Sequence, residues 1–325
     1  MAILVLGGAG YIGSHTARAL VEAGRDVVVA DNLETGFRAA VPAGARFYEG
    51  DIRDRAFLDK LFEAEQIEGV IHFAANSQVG ESMAKPLKYY DNNLCGTKVL
   101  LDSMVAHDVL KIVFSSTAAT YGEPDRVPIL ETDRTEPTNC YGETKLSMEK
   151  MMKWVSVAHG LRYVALRYFN ACGAQPDASI GEAHNPETHL LPLILQVPNG
   201  QREAISIFGD DYPTPDGTCI RDYIHVADLA DAHLLALDAA KPGEHLICNL
   251  GNGSGFSVRE VIESVKRVTG REIPVQVAAR RAGDPAVLVA SAERAHEALG
   301  WTPRRPNLDD IVADAWKFTL EKNGK

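Results

Sequence analysis

No stretch of this 325-residue chain comes near the roughly 18 consecutive apolar residues that a membrane-spanning helix needs, so no membrane partner is expected. Positive charge is scarce too: 33 Lys and Arg stand against 44 Asp and Glu, a formal net charge of −11. A binder of nucleic-acid backbones needs a basic face, and that class is disfavoured, although a few arginines grouped at one site remain compatible with a local anion. The apolar start MAILVLGGAGYIGSH has no basic residue before Arg18, so it reads as a buried strand entering a glycine turn rather than as a signal peptide. Cysteine is sparse: Cys95, Cys140, Cys172, Cys219 and Cys248 are widely spaced, odd in number and without a C-x-x-C pair. That pattern implies reduced thiols serving as small core residues, a cytoplasmic location and no disulfide. The ten histidines are scattered, and His184 and His189 lack partners at ligand spacing, so no metal is expected.

What is present is the composition of an ordinary globule, 46% hydrophobic and 24% charged, with length for one large domain or two medium ones. Short β-rich runs at Ile3–Leu6, Val27–Ala30, Arg46–Tyr48, Val70–Phe73, Ile112–Phe114 and Tyr163–Leu166 read as buried parallel strands. Helical stretches fall between them, among them Ser14–Ala23 closed by Gly24, and Asn139–Val157. The alternation predicts an α/β fold with a doubly wound parallel sheet. Past Cys172 the pattern loosens and Pro and Gly become frequent over Gly173–Gly217. Two further helices are predicted, Val258–Val268 behind the capping box Ser257-Val-Arg-Glu260 and Leu308–Leu320 behind Asn307. Ile247–Leu250 looks like one more sheet strand. The reading is therefore a nucleotide-binding domain over 1–172, to which 222–253 returns, and a smaller interleaved C-terminal α/β domain within 173–325.

Gly7-Gly-Ala-Gly10-Tyr11-Ile12-Gly13 follows a strand and opens a helix, where glycines permit close backbone approach and free N–H groups attract a pyrophosphate. Asp31 ends the second strand, 18 residues past Gly13, placed to accept from a ribose diol and to repel a 2′-phosphate, which favours NAD over NADP. Asp51, Ile52, Phe73, Ala74 and Ala75 sit at later strand ends, on the edge where ligands of open α/β sheets lie, although Asp51 also suits a plain turn.

The centre of the reading is Tyr141-Gly-Glu-Thr-Lys145, whose phenol and ammonium share one helix face. A free tyrosine titrates near pH 10, and lowering it to about 7 takes about 4 kcal/mol. A unit charge about 4 Å away supplies about that much at an effective dielectric near 20, so Lys145 is expected to make Tyr141 a base. Thr117, at the end of the Ile112–Phe114 strand and its loop, can orient a reacting oxygen.

Taken together, GGAGYIGSH at Gly7–His15, Asp31-Asn32-Leu33, FSSTAATYGE at Phe114–Glu123, Tyr141–Lys145, RYFNACGA at Arg167–Ala174, Gly209–Val226 and Arg280–Leu288 resemble the UDP-glucose 4-epimerases of the extended short-chain dehydrogenases. The resemblance implies a reversible inversion at C4 of UDP-glucose and UDP-galactose through a 4-keto sugar. Tyr141 would be the base, Lys145 its electrostatic partner and Thr117 the hydroxyl that steadies O4. It implies NAD contacts at Tyr11, Ile12, Asp31, Asn32, Asp51, Ile52, Phe73, Ala74, Asn92 and Phe169, and UDP-sugar contacts at Asn170, His189, Leu190, Phe208, Arg221, Arg281 and Asp284. Guanidinium forks match phosphate oxygens, so Arg221 and Arg281 suit a diphosphate clamp, although either also suits a surface ion pair. It further implies a homodimer built on helices near Asp91–Ala106 and Asn139–Val157. Ser77 stands where some relatives carry a cofactor-contacting lysine. Leu288 replaces a tyrosine, which implies room for an N-acetyl group. Two rivals remain: a sugar-nucleotide dehydratase, which would need an acid pair where Ala118 and Ala119 stand, and a non-catalytic NAD sensor.

Overall fold

In Ala2–Leu6 (β1), residues alternate between the two faces of a sheet, and both sets are apolar, because both faces are covered by helices. The computed structural model describes residues 1–241, 245–281, 284–322 and 324. β1 is joined by Val27–Asp31 (β2), Arg46–Glu49 (β3), Ile67–His72 (β4), Lys111–Ser115 (β5), Arg162–Tyr168 (β6) and His245–Leu250 (β7). They form one seven-stranded sheet of order β7-β6-β5-β4-β1-β2-β3 with every pairing parallel. The order reverses between β1 and β4, which opens a crevice at their carboxyl ends. As predicted, a late segment of the chain, β7, returns to pair with β6.

On one face Leu4, Leu6, Val28, Val70, Ile112 and Phe114 pack against helices at Arg55–Ala64, Gly96–Ala106 and Cys140–His159 (α2, α3 and α4, after α1 at Tyr11–Glu22). On the other, Ile3, Val5, Val29, Ile71 and Val113 meet Ala17 and Leu20 of α1 and Leu229, Ala232 and Ala236 of Val226–Ala239. A third apolar cluster joins Leu191, Ile194, Ile205, Ile207, Val261, Val265, Ile311 and Val312, and lies beyond the sheet in the C-terminal half. Its helices carry the predicted starts. Ser257 Oγ accepts from Glu260 N at 3.0 Å while Glu260 accepts from Ser257 N at 2.7 Å, and Asn307 Oδ1 accepts from Asp309 N at 2.8 Å. No helix among the described residues is long and apolar enough to cross a membrane. The five cysteines are free, and three are buried.

One boundary is corrected. The first helix begins at Tyr11, three residues before the expected Ser14, so Gly13 lies inside it. A Cβ on Gly13 would stand 2.2 Å from Gly7 O, and the absent side chain is what lets the turn fold back on the helix.

Candidate active site

The crevice at the carboxyl ends of the strands is a cleft of about 780 Å³ that runs from the glycine turn to the C-terminal lobe. Gly7 takes φ +75°, and a Cβ there would lie 2.6 Å from Ala74 N, so the glycine turn and the Phe73-Ala74 strand end are pressed together. Gly10 caps α1 without any side-chain bond, leaving the first-turn N–H groups for an anionic ligand. Asp31 is buried with one oxygen accepting from Ala9 N at 3.0 Å and the other from Leu33 N at 2.8 Å. Burial raises its pKa against those two bonds. The carboxylate is thereby held rigidly at the end of β2, and the cradle fits a pyrophosphate and an unphosphorylated ribose.

The three candidate catalytic residues, Tyr141, Lys145 and Thr117, gather at the floor of this cleft. Asn139 Oδ1 caps α4 by accepting from Gly142 N at 2.8 Å. Gly142 is buried against the turn at Ala118–Thr120, and a Cβ on it would meet Ala119 O at 2.4 Å. This close approach brings Tyr141 to Thr117, which caps that turn through Oγ1 accepting from Ala119 N at 3.2 Å. Lys145 is buried, donates from Nζ to Ser115 O at 2.8 Å, and lies 5.9 Å from the centre of the Tyr141 ring and 4.9 Å from that of Phe114.

Burial opposes the expected depression of the phenol. Burial pushes Tyr141 up to about 12, with a hydrogen bond to Thr117 pulling the other way. Burial likewise pushes Lys145 down to about 7, opposed by the charge of Glu149. Desolvation acts on both groups, and here it disfavours both charged forms. Beneath the lysine lies a pair that sequence reading missed: Arg167 donates to both Glu149 oxygens, at 3.0 and 2.6 Å, and Ser116 donates to the same carboxylate. Nothing in the spacing of Glu149 along its helix marks it as buried.

At the far end, Val287–Leu288 runs parallel to Ile220–Arg221, with Leu288 beside Arg221. Asp284 ties the two arginines together, accepting from Arg221 at 2.7 Å through one oxygen and from Arg281 at 2.8 Å through the other. One carboxylate between two guanidinium groups leaves a net positive charge facing the cleft. Ala282 and Gly283, in the middle of the Arg280–Leu288 motif, lie outside the described residues.

Of the residues singled out in the sequence, the cleft is lined by Gly7, Gly10, Tyr11, Ile12, Gly13, Asp31, Asn32, Ile52, Phe73, Ala74, Ala75, Asn92, Thr117, Tyr141, Lys145, Phe169, Asn170, His189, Arg221, Arg281, Asp284 and Leu288. Ser77 and the two alanines at 118 and 119 line it as well. Asp51, Leu190 and Phe208 do not line it. Asp51 is held by Arg53 and Asn32, with the Arg53 hydrogen bonds keeping its carboxyl well below the usual range. Leu190 packs against the third apolar cluster, and Phe208 lies beneath the Arg281 guanidinium at 5.2 Å. The expectation that His184 and His189 lack partners is corrected: Glu182 accepts from His184 at 3.0 Å and from His189 at 2.8 Å, and Glu187 stands 3.0 Å from His189. Burial alone would lower the His189 pKa, but the bonds from Glu182 and Glu187 outweigh it and hold it at about 10. Glu182 and His184 are cleft residues the sequence reading left out.

Comparison with known proteins gives the family. The model of the NAD dependent epimerase/dehydratase family matches residues 3–251. A UDP-glucose 4-epimerase of Halalkalibacterium halodurans is 59% identical over 322 residues, 99% of this chain and 96% of that protein. A crystal structure of a UDP-glucose 4-epimerase superposes with a TM-score of 0.97 at 57% identity, covering 99% of this chain and 98% of the other. The Brucella ovis UDP-glucose 4-epimerase, solved in complex with NAD, gives a TM-score of 0.95 at 50% identity, covering 97% of each chain. With a nucleotide cradle, a Tyr-Lys-Thr floor and an arginine pair in one cleft, the chain belongs to the NAD-dependent epimerase/dehydratase family, among the UDP-glucose 4-epimerases.

Proposed function

We propose that inversion at C4 in this epimerase is carried out by Tyr141, Lys145 and Thr117, with UDP held by Arg221 and Arg281. The observation that supports this most is the placing of the phenol, the ammonium and the hydroxyl on one cleft floor between the glycine cradle and the arginine pair. NAD, when bound at that cradle, supplies the hydride acceptor and then the donor. Tyr141 takes the proton of the 4-hydroxyl and later returns it. Thr117 orients the same oxygen. Lys145, fixed on Ser115 O, holds a proton below the phenol and favours the tyrosinate whenever it is charged. The arginine pair grips the diphosphate while the 4-keto sugar presents its other face. Because each cycle restores the cofactor, turnover needs no external redox partner.

The test is UDP-galactose added to purified protein without further cofactor, with UDP-glucose followed over time. Turnover is expected, and Tyr141→Phe is expected to lose about 10²–10⁴-fold. Full activity in that variant would overturn the assignment. Two finer readings belong with it. Leu288 leaves room beside the sugar's C2 substituent, so Leu288→Tyr should reduce turnover of UDP-N-acetylglucosamine more than that of UDP-glucose; equal rates would discard this. The helix at Cys140–His159 presents Trp154 at 67% exposure and Val157 at 72%, three residues apart on one face, which suits pairing of two copies in a cytoplasmic homodimer. Light scattering should report two copies, and Trp154→Glu should shift the mass toward one. The division into a nucleotide unit (1–172 with 222–253) and a UDP-sugar unit (within 173–325) follows the same logic.

A further inference from the structure

We propose that Glu182, His184, Glu187 and His189 form a binding site for one divalent cation of the zinc class, which fixes the wall of the cleft. The four residues occupy one short E-x-H-x-x-E-x-H stretch, and each brings one ligand atom into a group in which all the atoms lie within 4.8 Å of one another. Both histidines aim the same nitrogen, Nδ1, at the same pair of carboxylates. The four nitrogen–oxygen separations are 3.0 and 3.8 Å from His184 and 2.8 and 3.0 Å from His189. A tetrahedral ion with bonds of about 2.0–2.1 Å places its ligand atoms about 3.3–3.4 Å apart. The four separations lie on either side of that value, but His184 meets Oε2 of Glu187 where His189 meets Oε1, so the Glu187 carboxylate must turn to present a single oxygen to the ion.

The chemistry of the donor set agrees. Two neutral imidazoles and two carboxylates balance a dipositive ion, and a mixed nitrogen–oxygen set of four suits zinc better than magnesium or calcium, which take more oxygens. The carboxylates are oriented in advance. Glu182 is almost wholly enclosed, its side chain 6% exposed, and Glu187 Oε1 accepts from the backbone N–H groups of Thr188 at 2.7 Å and His189 at 2.8 Å. Hydrogen bonds of this kind hold ligating carboxylates in place at metal sites.

The location gives the ion a task. His184 sets its ring edge-on to Tyr11 at 6.1 Å, and Tyr11 donates to Gly173 O at 2.7 Å, so the loop is already docked on the first turn of α1. An ion here would staple residues 182–189 into one rigid piece and fix the direction in which His189 enters the cleft.

The experiment uses the whole protein after chelator dialysis, titrated with Zn²⁺ by calorimetry and with Co²⁺ by visible absorption. Expected are one Zn²⁺ per chain and the strong visible bands of four-coordinate Co²⁺, without the near-ultraviolet sulfur-to-cobalt band that cysteine ligation would add. Zn²⁺ should also raise the melting temperature. His184→Gln and Glu187→Gln should each weaken Zn²⁺ at least tenfold. No binding by wild type, pale six-coordinate Co²⁺ bands, a sulfur band, or binding unchanged in both variants would each overturn the site. Because the wild-type cobalt spectrum decides on its own, a variant that fails to fold does not shelter the proposal.

Discussion

Replacing Gly142 with alanine should separate stability from catalysis. The added methyl would stand 2.4 Å from Ala119 O, whereas ordinary contact begins at 3.4 Å, so helix and turn must part by about 1.0 Å (3.4 − 2.4). On the helix side the change is favourable, since alanine is a better helix former than glycine by about 1 kcal/mol. The strain falls on the contact that sets Tyr141 against Thr117. A displacement of about 1 Å in a catalytic constellation costs on the order of 10²-fold in rate, equivalent to about 2.7 kcal/mol of barrier. Epimerisation is measured from UDP-galactose, with the UDP-glucose formed consumed by an excess of UDP-glucose dehydrogenase, and folding by the circular-dichroism melt. The expected result is a normal melt with kcat down by about two orders of magnitude. Wild-type kcat in a well-folded Gly142→Ala protein would refute the claim that this contact positions the phenol.

Other perturbations follow from the same contacts. Arg221→Ala removes a charge-assisted bond of about 1.5–3 kcal/mol, so UDP should bind about 10–150-fold more weakly by calorimetry; a change below threefold would remove Arg221 from the clamp. Glu149→Gln leaves the buried Arg167 without its counter-charge, and urea unfolding should show a loss of about 3–5 kcal/mol; a loss under 1 kcal/mol would show the pair to be dispensable. Burial pushes His15 and His233 down to about 4, and His72 and His225 down to about 3. Unfolded imidazoles titrate near 6.5, so on acidification the unfolded chain takes up protons the folded chain refuses. The contribution of these four rings should therefore be full above about pH 6.5 and be lost as pH drops toward 4, whereas that of His189, held at about 10, is full below 6.5 and fades as pH rises toward 10; a flat urea midpoint between pH 6.5 and 4 would contradict the burial of the four rings.

Much of the scaffold was legible because burial on both faces of a parallel sheet leaves a plain mark, the short unbroken apolar run. Six of the seven strands followed from such runs, Arg46–Tyr48 being the half-exposed exception, and Ser257 and Asn307 announced their helices through cap chemistry that acts over three or four residues. The site was legible where function needs a local pattern: glycines that must touch backbone, or a tyrosine and lysine one helical turn apart. It was illegible where partners meet only in space. Glu149 and Arg167 belong to different elements and carry no shared spacing. Glu182 and Glu187 escaped notice beside His184 and His189 because loop residues have no periodicity to reveal a common focus. The effect of burial on Tyr141 was illegible for a related reason: charge can be counted along a chain, whereas loss of water depends on everything packed around the group.

The late return of His245–Leu250 to the sheet has a practical consequence. A fragment ending near residue 172 would strip the β6 edge of its six-residue neighbour and bare a ladder of unpaired amide and carbonyl groups, an invitation to aggregation. The nucleotide-binding half is thus completed only after the ribosome has delivered the segment that carries Arg221. The chain is stitched out across the crevice and back, so neither wall can be inherited, truncated or grafted without the other.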